Sequence, residues 1–359
     1  MLRIGLLTSG GDCQALNATM RAIVRTLVNR APEPVEVVGF EDGYQGLIYR
    51  RFRMMDPAGF DDVLARGGTI LGTSRTPFKR LDIPEADGVD KVAAMKRTYA
   101  ELGLDCLFML GGNGSTKTAH RLAREGLRVI ALPKTIDNDT WGTDLTFGFT
   151  SAVEVATRCI DDIRTTASSH GRVFAVEVMG HKVGWIPLYA AVAGGADACL
   201  IPEIPYEIDK VAAAVERRLD AGAACAIVVV AEGAVSRAEV EMPKKEYKRA
   251  VAARTSPSVA YDIARELGAR TGREVRTAVP GHTQRGGAPD AQDRVFATQC
   301  GVEAALGFLE GAHGFMVAQR EGRMCRVPLG EVAGRLKRVD PEGDLVREAR
   351  ALGVSFGDE

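Results

Sequence analysis

Short, continuous apolar runs alternate along this chain with longer stretches in which apolar residues return at every third or fourth position. A continuous apolar run fits a strand buried on both faces, and the longer spacing fits a helix that lays one stripe on a sheet. The pattern predicts strands over Arg3–Thr8, Val35–Phe40, Cys106–Leu110, Arg128–Leu132, Val173–Met179, Ala198–Ile201, Ala226–Ala231, Val275–Val279 and Gly314–Ala318. It predicts helices over Ala18–Asn29, Val92–Leu102, Thr116–Glu125, Ala152–Thr166, Lys210–Ala221, Ser258–Thr271 and Val295–Leu309. Strand and helix in this rhythm are the signature of an α/β fold with mainly parallel sheets. Both halves of the chain carry the rhythm, so we expect two doubly wound, Rossmann-like lobes facing a cleft. The expected division is 1–150 with roughly 275–320 returning, then 151–274, then a C-terminal extension over 321–359.

Composition narrows the classes of partner. At 359 residues and 46% hydrophobic content the chain exceeds one small core, in keeping with two lobes. A formal net charge of −1 gives no global field for nucleic acid or an anionic membrane, so any anion site must be local. No apolar stretch approaches the ~18 residues of a membrane span, and the N-terminus reads as a first strand rather than a signal peptide. Seven cysteines without a CxxC pair read as reduced core thiols of a cytoplasmic protein. The polar, mixed-charge stretch 237–254 reads as a solvated loop or helix face, with a binding patch as the alternative.

The candidate chemistry lies where strands end. Open α/β sheets bind ligands beyond the carboxyl ends of their strands. Thr8-Ser9-Gly10-Gly11-Asp12 follows the first strand, and Gly111-Gly112-Asn113-Gly114-Ser115 follows another and leads into a helix. Glycines let backbone N–H groups close on a phosphate, and a helix N-terminus adds its positive dipole end. With no lysine after the glycines, the second loop is not a Walker loop. Pro133-Lys134-Thr135-Ile136-Asp137-Asn138-Asp139 carries two carboxylates at i and i+2. On an extended chain both would point to one side, where one could accept a proton and the other face Mg²⁺. Gly281 to Gly287 holds His282, Thr283, Gln284 and Arg285 between glycines, and arginine at such a bend can grip a phosphate. These are the parts phosphoryl transfer requires: anion cradles, a metal, and a base for the acceptor hydroxyl. His170 after Ser168-Ser169 does not make a serine hydrolase, since no G-x-S-x-G elbow exists.

In order and spacing these loops resemble the bacterial-type phosphofructokinase family, from Ile4 to about Val295. The resemblance rests on Gly10-Gly11-Asp12 with Asn17-Ala18, Gly72 to Arg75, Gly111 to Ser115, Pro133 to Asp139, Ser168 to Arg172, Val176 to Gly180, Glu232 and His282 to Gly287. It implies a 6-phosphofructokinase of glycolysis, making fructose 1,6-bisphosphate from fructose 6-phosphate with Mg-ATP. The first lobe would bind the phosphoryl donor and the second the sugar phosphate. Asp137 would be the general base, in a loop shared with Thr135 and Ile136, and His181 stands where an arginine usually steadies the transferred group. Gly11, Arg75, Thr76, Gly112, Asn113, Gly114, Ser115 and Lys134 would hold the donor. Arg172, Met179, Gly180, His181, Glu232, Arg276, His282, Thr283, Gln284 and Arg285 would hold the sugar phosphate, together with Thr135, Ile136 and Asp137. Arg172 and Arg276 have counterparts that reach in from a neighbouring subunit, which implies a homodimer or homotetramer.

The departures from the family pattern are informative. Asn113 replaces a usual acidic magnesium ligand, so the metal would lean on Asp139 and substrate phosphates, with Asn113 as a neutral ligand. Gln14-Ala15 replaces a usual Pro-Gly. Glycine at 114 leaves room for ATP where aspartate would favour pyrophosphate, whereas Lys134 occurs in pyrophosphate users and some ATP users. This pattern resembles the branch that contains both donor types. We expect ATP, with a reversible pyrophosphate-dependent phosphotransferase as the alternative. A catalytically silent sugar-phosphate-binding homologue and a lipid or NAD kinase are the remaining readings.

Overall fold

The computed structural model describes residues Met1–Glu359. Eleven strands run along the chain: β1 (Leu2–Ser9), β2 (Val35–Phe40), β3 (Phe52–Met55), β4 (Cys106–Gly111), β5 (Val129–Pro133), β6 (Val173–Val178), β7 (Ala198–Leu200), β8 (Ala226–Ala231), β9 (Val275–Ala278), β10 (Phe315–Arg320) and β11 (Arg323–Pro328). They form a seven-stranded sheet in the order β11-β10-β5-β4-β1-β2-β3 and a four-stranded sheet in the order β7-β8-β6-β9. Every pairing in the smaller sheet is parallel. In the larger sheet only the two edges, β3 on β2 and β11 on β10, are antiparallel. The fold is α/β with mainly parallel sheets.

Sequence dictates the centres of both sheets. Every residue of β4 (Cys-Leu-Phe-Met-Leu-Gly), β5 (Val-Ile-Ala-Leu-Pro) and β8 (Ala-Ile-Val-Val-Val-Ala) is buried, as strands covered on both faces must be. Helix starts are spelled by acids: Asp90 accepts from Ala93 N at 3.0 Å, and Asp290 accepts from Asp293 N at 2.7 Å ahead of the helix Ala291–Leu309.

The chain divides into two compact units. The first comprises Met1–Ser151 with Arg285–Lys337, and the second Ala152–Gln284 with Arg338–Glu359. Each has its own apolar core, one around Val38, Phe40, Leu107 and Met109, the other around Val173, Val228, Val230 and Leu267. The return to the first unit begins at Arg285 rather than near 275, because β9 pairs with β6 through Val275 and Val173 and so belongs to the second sheet. Residues 321–359 are not one extension. β11 closes the edge of the larger sheet, whereas Ser355 O and Gly357 O accept from Cys199 N at 2.8 Å and Glu207 N at 2.7 Å in the second unit.

The stretch 237–254 forms the helices Arg237–Glu241 and Lys244–Ala252, neither with a buried residue. No helix is long and apolar enough to cross a membrane. All seven cysteines are free thiols.

Candidate active site

In the first unit, three loops meet at the carboxyl ends of β1, β4 and β5. The loop after β1 turns at Gly10, whose φ of 90° suits glycine. Gly10 N donates to Ser74 O at 3.0 Å and Thr73 Oγ1 donates to Gly10 O at 2.8 Å, which fixes the segment bearing Arg75 and Thr76 alongside. Gln45 Nε2 reaches Thr76 Oγ1 at 3.5 Å, and Arg75 itself is exposed. A Cβ at Gly11 would lie 2.8 Å from Arg285 Nη1, so the guanidinium would have to shift to admit one. Arg285, which the resemblance links to the sugar phosphate, has its guanidinium on this loop, with Nη1 donating to Asp12 O at 3.0 Å.

β4 delivers Gly111 to Ser115. The helix Asn113–Arg124 starts at Gly112 with no side-chain cap, so its first N–H groups lack intrahelical acceptors and suit an anion. Ser115 Oγ donates to Ser9 Oγ at 2.9 Å and joins the first two loops. Tyr44, which sequence reasoning passed over, locks the same turn by donating its OH to Ser115 O at 2.9 Å.

β5 delivers Lys134 to Asp139. The buried Lys134 ammonium donates to Gly11 O, so it bridges the loops of β5 and β1. Burial pulls its pKa down. The nearby Arg285 charge acts the same way, while a Cys13 thiolate, Asp137 and Asp12 would oppose the shift. Thr135 Oγ1 accepts from Asp137 N at 3.1 Å and lies 3.4 Å from Asp137 Oδ2, so the threonine orients this carboxylate. Asp137, Asp139, Ile136 and Thr135 are all buried. The expected extended geometry is absent, because Ile136–Asp137 forms a turn and Asn138 is left-handed at φ 52°. The same-side argument for the two carboxylates therefore does not apply, as strand alternation needs extended residues.

A divalent cation would find Asp139 and the Asn113 amide oxygen in this unit. Asn113 Oδ1 is buried with no hydrogen-bond partner, while Nδ2 donates to Arg335 O at 2.5 Å. No cluster of three or more His, Cys, Asp or Glu side chains could cage a metal. The donor set fits Mg²⁺, which takes one or two protein oxygens and fills its shell with phosphates and water.

In the second unit, β6 ends at Met179, Gly180 and His181 beside the end of β8. Glu232 Oε1 accepts from His181 N at 2.7 Å and Gly180 N at 3.3 Å, and so holds the turn. His181 is exposed and left-handed at φ 53°, a conformation a residue with a Cβ adopts only when its surroundings enforce it. Gln284 is fully buried. Its Oε1 accepts from Met179 N at 3.2 Å and its Nε2 donates to Gly281 O at 3.1 Å, so it shapes the turn from within. His282 and Thr283 are exposed beside it. Arg172 and Arg276 converge on one carboxylate: Arg172 Nε lies 3.1 Å from Glu274 Oε2, and Arg276 pairs with Glu274 Oε1.

A phosphofructokinase family model matches residues 3–307. The chain is 49% identical over 358 residues to the ATP-dependent 6-phosphofructokinase of Spirochaeta thermophila, a match covering 99% of this chain and 97% of that one. It is 45% identical over 345 residues to the pyrophosphate-fructose 6-phosphate 1-phosphotransferase of Amycolatopsis methanolica, covering 95% of this chain and 97% of that one. Its fold matches the solved pyrophosphate-dependent phosphofructokinase of Nitrosospira multiformis with a TM-score of 0.82 at 19% identity, over 98% of this chain and 92% of that one. With similarity running from end to end and the fold shared, the chain belongs to the phosphofructokinase family.

Proposed function

We propose that this chain transfers the γ-phosphoryl group of ATP to the 1-hydroxyl of fructose 6-phosphate, a phosphorylation of glycolysis, in the cytoplasm. The observation that carries this reading is Asp137, buried and oriented by Thr135 in the loop that follows β5. Asp137 takes the proton of the sugar 1-hydroxyl as its oxygen bonds to the γ-phosphorus. The bond from the γ-phosphorus to the bridging oxygen breaks, and ADP leaves. Backbone N–H groups of Gly11 and Gly112 to Ser115, with Arg75, Thr76 and Lys134, hold the donor phosphates. The guanidinium of Arg285, hydrogen-bonded to Asp12 O beside Gly11, adds positive charge there. Asp139 and Asn113 would hold Mg²⁺, which would supply positive charge to neutralise the donor phosphates.

The second unit holds the sugar phosphate. Met179 and Gly180 line it, Glu232 offers its second carboxylate oxygen to sugar hydroxyls, and His282, Thr283, Arg172 and Arg276 supply polar and cationic groups. Gln284 acts by fixing the turn, and His181 steadies the transferred group. In a homodimer or homotetramer, Arg172 and Arg276 serve the site of the neighbouring copy. Cations are needed because two polyanions must approach each other against their repulsion.

ATP is supported as donor by the open space around Gly114, where a Cβ would meet no atom within 4 Å, and by relatives at 49% and 44% identity that are named ATP-dependent. Lys134 and the Amycolatopsis methanolica relative favour pyrophosphate as the second reading. One experiment decides both points. Turnover of the purified protein on fructose 6-phosphate is compared with ATP and with pyrophosphate, for wild type and Asp137→Ala. We expect turnover with ATP and a loss of roughly 10²–10⁴-fold in the variant. Turnover with pyrophosphate alone would overturn the donor, and an equally active variant would overturn the base.

A further inference from the structure

The segment Arg335-Leu336-Lys337, at the end of the first unit's returning portion, touches both chemistry-bearing loops. Arg335 O accepts from Asn113 Nδ2 at 2.5 Å. Leu336 pairs antiparallel with Thr140, and Lys337 N donates to Asp139 O at 2.9 Å. The Lys337 side chain then runs under the carboxylate loop, where Nζ donates to Asn138 Oδ1 at 2.9 Å, Thr143 O at 2.9 Å and Asp144 O at 2.7 Å. An ammonium has three protons, and here three protein oxygens surround it. Such a group does not act as a free cation for a substrate.

One of these partners is the residue between the two carboxylates. Asn138 is left-handed at φ 52°, a conformation that asparagine tolerates better than most residues but does not prefer. Asn138 Nδ2 donates to Asp144 O at 3.3 Å, and Thr146 Oγ1 reaches Asn138 Oδ1 at 3.5 Å. Of the contacts to Oδ1, that from Lys337 is the shorter, and it is charge-assisted. Rotating Asn138 back to an extended conformation would redirect the chain between Asp137 and Asp139.

We propose that Lys337 is a positioning residue: through Asn138 and the backbone of Asp139 it fixes the left-handed turn that aims Asp137 and Asp139 for phosphoryl transfer. The inference rests on the catalytic reading above. It deepens that reading by tying the carboxylate loop to a segment about 200 residues away in sequence.

Lys337→Met keeps most of the length of the side chain and removes its donors. In steady-state kinetics with ATP and fructose 6-phosphate we expect kcat to fall about 10–100-fold, the scale of a small misplacement at a reacting centre. Both KM values should stay within about threefold. Lys337→Arg, which keeps charge and donors, should recover part of kcat, and Lys96→Met, which removes a half-buried helix lysine paired with Glu125, should match wild-type kcat. Amide hydrogen exchange over 135–140 should quicken in Lys337→Met alone. A folded Lys337→Met with wild-type kcat, or one whose loss lies in KM, overturns the inference. If Lys337→Met does not melt cooperatively, Lys337→Gln, which retains one donor group, is held to the same criteria. A wild type inactive with both ATP and pyrophosphate would instead overturn the catalytic reading, and exchange over 135–140 would still decide whether Lys337 holds the turn.

Discussion

Asp293 shows what one buried carboxyl can impose. Gly148 N donates to its Oδ1 at 2.8 Å and its Oδ2 at 3.1 Å, and Ser151 Oγ donates to Oδ2 at 2.6 Å. Burial nevertheless raises its pKa from 3.8 to about 6, with Asp290 pushing the same way and the Ser151 and Gly148 donors opposing. A folded-state pKa above the unfolded one means that the folded protein binds the proton more tightly. Ionisation above pH 6 therefore weakens the fold, on the order of 2–3 kcal/mol at 1.36 kcal/mol per pH unit, and the penalty lifts as pH falls from about 6 toward 4. Between pH 7 and pH 4.5, wild type should gain stability relative to Asp293→Asn, which cannot ionise, when melting curves of the two are compared. A gap independent of pH would contradict this. At this scale the sequence was partly legible. Glycine spacing and family resemblance singled out Gly11, Gly112 to Ser115 and Asp137 as candidates, because backbone approach and proton transfer demand particular residue types. The contacts that Gln284, named only through the resemblance, makes to Met179 N and Gly281 O, and those of Lys337 to the carboxylate loop, have no local spelling. Asn138 broke the extended geometry that alternation of side chains assumes.

Among the elements, β4 carries most of the positioning. It lies between β1 and β5, is buried throughout and ends at Gly111, the start of the proposed donor cradle. Phe108 on β4 meets Phe308 of the helix Ala291–Leu309 edge to face, with centroids 5.9 Å apart at 80°. Phe108→Ala should cost about 3–5 kcal/mol, read as a lower urea midpoint at unchanged slope. A loss below about 1 kcal/mol would mean that this part of the core re-closes around the cavity. Such fully covered strands were easy to read because a continuous apolar run has few other uses. β3 and β11 escaped notice for the opposite reason. They are antiparallel edges, and charges such as Arg53, Arg323 and Arg326 interrupt their apolar residues.

Across the whole molecule, the groups proposed for donor and acceptor fall in different units, and the acceptor's arginines are proposed to serve a neighbouring copy. Asp137→Ala and Arg276→Ala proteins should then each be nearly inactive alone. Denatured together and refolded, they should regain up to about a quarter of wild-type turnover as hybrid dimers form with one intact site. No recovery in verified hybrids would mean that each copy is self-sufficient. The order of the larger sheet has a separate consequence for biosynthesis. β5 emerges from the ribosome early, yet its neighbour β10 follows about 180 residues later. At a pace of about 5–20 residues per second, that strand's edge waits roughly 10–40 s for its permanent partner. Throughout that interval a nascent chain offers an apolar template for wrong pairing, so yield in the cell should depend on chaperone supply and translation speed more than on the stability of the finished protein.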